Sequence, residues 1–180
     1  MKHFNLRLEQ RNWVIATKAL TVIHRIFREG SEIFLKSISR TGVLDLNFFK
    51  DETDNFSLTQ SKFVVQYALY LSQKAKVYRE FDREYEKSSE NFEGLDIKLC
   101  LQIIPSLQKQ FDCILEFKDK MGIVSTRICL TSFGLLLKDS FRLFTALNKL
   151  FLKVIGHSPF PPTSYSTSFF LFFSSLLSSN

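Results

Sequence analysis

The side chains best able to do chemistry are spaced in ways that exclude most of it. His3, His24 and His157 are far apart, and Cys100, Cys113 and Cys129 form no Cys-x-x-Cys pair. A zinc site needs three or four such ligands converging, so the sequence predicts no metal, and each cysteine sits in an apolar stripe as a small core residue would. His24 lies inside an apolar helical pattern without a catalytic partner nearby, which predicts a packed histidine with one or two hydrogen bonds rather than a general base. Glu80, Asp82, Glu84 and Glu86 alternate along the chain and would spread around a helix instead of facing each other across a cleft. There is no Gly-x-Gly-x-x-Gly and no Gly-Lys-Ser/Thr, so nothing supports ATP or dinucleotide chemistry and no cofactor is expected. One constellation remains. Lys138, Arg142, Lys149 and Lys153 recur on one side of a helix, in a stretch (residues 121–180) holding five basic residues against the single acid Asp139. Such a stripe can meet phosphates, and is the candidate lipid-binding site, although a solvated helix face is the commoner use of the pattern.

The elements that must position these residues follow from composition and period. In 180 residues there are 24 Lys+Arg against 18 Asp+Glu, a net charge of +6, and 45% apolar residues. That suits one globular core. Only six glycines and four prolines occur, three of the latter at Pro159, Pro161 and Pro162, which excludes collagenous and turn-dense all-β classes. The odd cysteine count, without a leader segment, points to a reducing compartment, and no apolar run approaches the ~18 residues of a membrane span. The charge is too modest to assign a nucleic acid partner, and none is expected.

Apolar positions at steps of three and four predict helices throughout. The first runs from Trp13 through Ala16, Leu20, Ile23 and Phe27, apolar on nearly every side, to a left-handed cap at Gly30. A second spans about Glu32 to Ser39 with Ile33, Phe34 and Ile38 inward and Gly42 closing it, and a brief helical turn follows at Leu46 to Phe49. The third covers about Thr59 to Tyr85, capped by Ser57 or Thr59, with Val64, Tyr67, Leu71, Ala75 and Tyr78 inward and Lys62, Gln66, Gln73 and Lys76 outward. A segment near Leu95 to Ile103 then meets Pro105, which should kink it or start a new helix. The last helix, about Val124 to Ile155, turns Phe133, Leu136, Leu143 and Leu147 inward, and from His157 a Ser/Phe/Pro-rich segment without charge is expected to be an unstructured tail, residues 157–180.

Several local sequences, in order, resemble the ANTH domain of clathrin assembly proteins, with a plant-type flavour. They are Arg11-Asn12-Trp13-Val14, Ile23-His24-Arg25 with Arg28-Glu29-Gly30, Phe49-Lys50-Asp51, Tyr67-Ala68-Leu69-Tyr70-Leu71, Ile104-Pro105-Ser106-Leu107-Gln108 and Leu137-Lys138-Asp139-Ser140-Phe141-Arg142-Leu143. The resemblance covers about Leu8 to Ile155 and implies an all-α antiparallel helix stack, α-solenoid-like and of the ENTH/ANTH/VHS superhelical type, with residues 8–156 as a partial domain. It implies a non-enzymatic endocytic adaptor that binds phosphatidylinositol 4,5-bisphosphate membranes and clathrin, with adaptor proteins and SNARE helices as further partners, peripheral on the cytoplasmic side of coated pits and vesicles at the plasma membrane and Golgi. The family's lysine-rich lipid cluster precedes the segment matching Trp13, and Lys2-His3 matches only its end in letters. The expectation is therefore a domain truncated at both ends, lacking that lipid site. The alternative is a short helical interaction scaffold that binds neither lipid nor clathrin.

Overall fold

The computed structural model describes residues 10–40, 45–86, 92, 94–117 and 126–156. Within them are five helices and no strand: α1 (Trp13–Glu29), α2 (Glu32–Arg40), α3 (Asn55–Phe81), α4 (Ile97–Leu115) and α5 (Arg127–Gly156). The all-α helix stack is as the sequence predicts. α3 is the central element, packed against α1, α2 and α4, while α5 lies on α4 and α1. Tyr67, Tyr70, Phe27, Phe63, Leu20 and Leu136 are among the largest side chains fully enclosed by this arrangement. A ring contact between Phe63 and Phe117, and another between Phe117 and Phe133, run from α3 past the end of α4 to α5. The Ser/Phe/Pro tail, Gly42 and Lys2-His3 lie outside the described residues.

Local chemistry explains where the boundaries fall, including those the sequence misplaces. α1 begins at Asn12, whose side chain accepts from the amides of Val14 and Ile15. It ends at Gly30 in an extended conformation (φ −76°, ψ 162°), not the left-handed one expected. Glycine is needed there for space, since a Cβ would stand 2.4 Å from the Ile26 carbonyl oxygen. Nor is α1 apolar all round in use: Val22 is 46% exposed and Ile15 and Ile26 half-buried, because neighbours cover only one side. In α2, Leu35 and Ile38 face α3, while Ile33 (81% exposed) and Phe34 point away, against expectation.

α3 starts four residues earlier than the Thr59 predicted, because Asp54 caps it by accepting from the Ser57 amide. It stops at Phe81, where Asp82 takes the left-handed conformation (φ 51°). The acidic series is thus not an alternation around one helix: only Glu80 is helical, and Glu84 and Glu86 lie beyond the end and are buried. Gln66 and Gln73, expected outside, are buried too, and their side-chain amides bond the α4 carbonyls of Cys113 (3.0 Å) and Ser106 (3.3 Å). Residues Leu46 to Phe49 form a hydrogen-bonded turn, not a helix.

Pro105 neither breaks nor restarts α4, which runs through it. Proline there deprives the Leu101 carbonyl of its donor, but Leu101 is on the solvent side, where water can replace the bond. α5 begins at Arg127, and Phe133 is half-buried rather than enclosed.

Candidate functional site

The most chemically loaded place in the molecule is buried, and α5 supplies its centre. Along α5, Leu136, Asp139, Leu143, Ala146 and Leu150 follow at steps of three and four, so Asp139 shares the apolar stripe and is driven inside with it (0% exposed). The same period puts Lys74 on the inner face of α3 with Tyr67, Tyr70, Leu71 and Tyr78, and His24 on that of α1 with Leu20 and Phe27. The three faces meet. One Asp139 carboxylate oxygen, Oδ2, accepts from His24 Nε2 (2.8 Å), Tyr70 Oη (2.7 Å) and Lys74 Nζ (3.1 Å), while Arg28 binds the other. Lys74 Nζ also pairs with Glu86 at 2.8 Å, and Glu86 accepts from the Gln110 side chain of α4. Four helices are thereby joined through one connected set of polar side chains.

The protonation states follow from the partners. A carboxylate can only accept, so Nε2 of His24 carries its proton, and Nδ1 is left to accept from Tyr67 Oη at 2.9 Å. Burial lowers the His24 pKa, outweighing the Asp139 hydrogen bond and charge that raise it, so the ring is neutral. Burial would raise Asp139, but Lys74 and the His24 and Tyr70 hydrogen bonds prevail and hold it far below the usual carboxylate range. Lys74 loses solvation in the same way, yet Glu86 and Asp139 push it up to about 12. Burial raises Tyr67 and Tyr70, which remain phenols. Every group is therefore fixed in the form its partner requires. The arrangement can clamp helices but offers no group poised to exchange a proton near neutrality.

A second buried carboxylate secures the start of α1. Asp51 (1% exposed) accepts from the Trp13 amide at 2.9 Å and from both the amide and hydroxyl of Thr53, and these bonds lower its pKa against the opposing effect of burial. Its own amide donates to Ser61 Oγ of α3 (2.8 Å). The Phe49-Lys50-Asp51 sequence thus ties a loop to two helices.

The sequence-predicted basic residues are all on α5, but the structure divides them. Lys138 and Arg142 are exposed. Lys153 is half-buried and donates to the Phe92 carbonyl (2.7 Å), and Lys149, although exposed, stands 6.0 Å from the centre of the Phe92 ring. Half of the stripe therefore holds residue 92 in place. Two clefts lie elsewhere, each of about 540 Å³: one between α2, α3 and α4, with Lys76, Arg79 and Lys109 facing Asp45 and Glu116, and one beside Phe49, Leu58 and Val65, flanked by Lys50 and Lys62. Cys100, Cys113 and Cys129 are free thiols whose pKa values burial raises, away from nucleophilic thiolate. No metal-ligand cluster of His, Cys, Asp and Glu occurs among the described residues, and no described helix is long and apolar enough to cross a membrane.

Sequence reasoning finds His24 as a packed histidine but misses Asp139, Lys74 and Glu86. It counts Asp139 as the single acid of the basic stretch, whereas the structure buries Asp139 and leaves its neighbour Lys138 at the surface. The available signal is a charge at a stripe position: both Asp139 and Lys74 interrupt apolar series at the correct helical step.

Comparison with known proteins agrees with this architecture. The family model of the ANTH domain matches residues 4–166. The human "Phosphatidylinositol-binding clathrin assembly protein" is 28% identical over 148 residues, which is 79% of this chain and 23% of the relative. The human "Clathrin coat assembly protein AP180" is 29% identical over 147 residues, 79% of this chain and 16% of the relative. An Arabidopsis thaliana relative named for clathrin assembly is 29% identical over 161 residues, 81% of this chain and 28% of that protein. The chain therefore spans less than a third of the length of these relatives. Because the family model covers residues 4–166, most of its length, the chain belongs to the ANTH domain family.

Proposed function

We propose that this chain is the helical module of an endocytic clathrin adaptor, acting on the cytoplasmic face of membranes that contain phosphatidylinositol 4,5-bisphosphate and helping to assemble clathrin there. The family match over residues 4–166 carries the reading, and the phosphatidylinositol-binding and clathrin-assembly names of its relatives supply the two ligands. In this reading other adaptor proteins and SNARE helices are further partners, and the protein works at coated pits and vesicles of the plasma membrane and Golgi. Among the stripe cations proposed to meet lipid, Lys138 and Arg142 are the ones open to it, since Lys149 and Lys153 are turned to Phe92. The network around Asp139 has a mechanical part: it keeps α1, α3, α4 and α5 in one body, so that a surface spread over several helices stays in register.

The test is flotation of the purified chain with vesicles containing phosphatidylinositol 4,5-bisphosphate, against vesicles matched in charge with phosphatidylserine, followed by addition of clathrin. The expected result is preferential binding to the phosphoinositide vesicles and recruitment of clathrin to them. A folded chain that floats with neither vesicle and recruits no clathrin would replace the adaptor reading with that of an interaction scaffold.

A further inference from the structure

We infer that the seam between α1 and α5 is a docking surface for an anionic lipid bilayer, extending the Lys138/Arg142 patch across two helices; this rests on the membrane part of the function proposed above. The geometry begins with two contacts. Thr21 Oγ1 meets Ser132 Oγ at 2.7 Å, and seven residues further along each helix Arg28 meets Asp139. Equal steps in the same direction make α1 and α5 parallel and in register over this stretch. The other side of α5 is taken: Cys129 bonds Gln60 of α3, and Phe133 stacks edge-on with Phe117. α1 therefore lies along the flank of α5 that carries Lys138 and Arg142.

Turning outward on α1 from Thr21, at about 100° per residue, Arg25 and Lys18 come next and then Val22. Both cations are exposed, and their angular places put them next to the Thr21 edge that meets α5. On α5 the exposed cations and the exposed apolar residues occupy adjacent arcs of about 60° each. The apolar arc holds Leu137 and Phe141, the latter 67% exposed, with Leu130 and Leu152 in line. The only carboxylate of α5 is the buried Asp139, and that of α1 is Glu29, at its last residue. Lys18, Arg25, Lys138 and Arg142 thus face outward from two parallel helices beside large, exposed apolar side chains. The two clefts noted above lie on other parts of the molecule. Charge complementarity selects an anionic partner, and the apolar border suits a surface that accepts both charge and inserted side chains, which is a lipid interface.

The experiment is co-sedimentation of the full chain with vesicles of phosphatidylcholine alone, phosphatidylcholine with phosphatidylserine, and phosphatidylcholine with phosphatidylinositol 4,5-bisphosphate, at low and high salt. A surface lysine or arginine contributes about 1 kcal/mol near such a membrane, which is about five-fold in partitioning. The double variant K138Q/R142Q should bind phosphatidylserine vesicles about 25-fold less tightly, and K18Q/R25Q similarly. Phe141→Ser should remove the binding that survives high salt. The control K76Q/K109Q, in the α2–α3–α4 cleft, should behave as wild type. Because every substituted residue is exposed, unchanged thermal unfolding should accompany all four variants. Seam variants that bind like wild type, or a control that loses as much, would overturn the proposal by reducing it to net charge. It is equally overturned if soluble inositol phosphate abolishes binding, which would indicate a pocket; if a synthetic acidic amphipathic helix binds the seam more tightly than vesicles do, which would indicate a protein partner; or if footprinting without vesicles finds Leu137 and Phe141 protected, which would show the face already covered. Absence of phosphoinositide preference and of clathrin recruitment in the wild type defeats the adaptor reading and leaves these seam measurements standing. Normal adaptor behaviour in seam variants defeats the seam alone.

Discussion

The α1–α5 pair carries charge on two faces and handles it in opposite ways. Inward, Arg28, His24 and Asp139 are locked with Tyr70, Lys74 and Glu86 by hydrogen bonds and ion pairs. Outward, Lys18, Arg25, Lys138 and Arg142 are exposed to solvent. The chain neighbours Lys138 and Asp139 fall on opposite sides of this divide. Inside, desolvation makes a missing partner costly, so identity and geometry are fixed. Outside, solvent screens each charge, so the surface acts through its sum and tolerates exchange of one cation for another.

The largest effect should come from breaking the inner face. Asp139→Ala leaves Lys74 and Arg28 facing a gap and is expected to cost about 3 to 5 kcal/mol. Lys138→Ala, one residue away, should stay within about 0.5 kcal/mol. Urea unfolding midpoints of the two variants measure the contrast directly, and a similar small change in both would mean that the buried network contributes little.

Acidification tests the same face without mutation. The His24 pKa is lowered by folding, so the unfolded chain takes up a proton first, and stability should begin to fall as pH drops through the free-imidazole value of 6.5. Asp51 and Asp139 are lowered as well; their stabilisation is complete above the free-carboxylate value of 3.8 and should be lost as pH falls below it. Lys74 has the opposite sign. Raised from 10.5 to about 12, its contribution is complete below pH 10.5 and should vanish as pH rises through 12. Stability measured from pH 3 to 12 should therefore show two acid steps and one alkaline decline. A flat profile between pH 7 and 5 would contradict a neutral, buried His24.

Next in size is the second anchor. Asp51→Ala removes the acceptor for the Trp13 amide and two bonds to Thr53, and should cost about 1 to 3 kcal/mol. Amide exchange should accelerate most in the first turn of α1. Equal protection there in wild type and variant would show that Asn12 alone suffices as the cap.

These anchors also mark how far the sequence can be read. Trp13, Leu20, Phe27, Val64, Tyr67, Leu71, Leu136 and Leu143 are legible because a helical period assigns apolar residues to one side, and all are buried. Ile33 and Phe34 are misassigned because a nine-residue helix allows more than one apolar side, and only packing on α3 selects Leu35 and Ile38. Asp139 is illegible for a different reason. Its partners His24 and Lys74 are 115 and 65 residues distant in sequence, so an acid beside a lysine reads as an ordinary surface pair until the helices are assembled. The basic stripe is half legible: its register follows from the period, but the attachment of Lys149 and Lys153 to residue 92 depends on a loop that no periodicity describes.

The smallest expected effect separates the halves of that stripe and sharpens the outer side of the comparison. Lys153 donates to the Phe92 carbonyl at 2.7 Å from a half-buried position, and Phe92 in turn stacks on the Tyr85 ring at 6.1 Å, so Lys153→Ala should cost about 0.5 to 1.5 kcal/mol. Lys153→Met would keep the apolar stem and lose the hydrogen bond, so its cost isolates the bond from the packing. Arg142→Ala, made at an exposed site about three turns earlier on the same helix, should be neutral in stability. If unfolding midpoints rank the variants in this order, the stripe is divided as the structure shows, with Lys153 structural and Arg142 available to a ligand. If Lys153→Ala is as neutral as Arg142→Ala, the Phe92 contact is not maintained in solution, and all four cations should then contribute alike to vesicle binding.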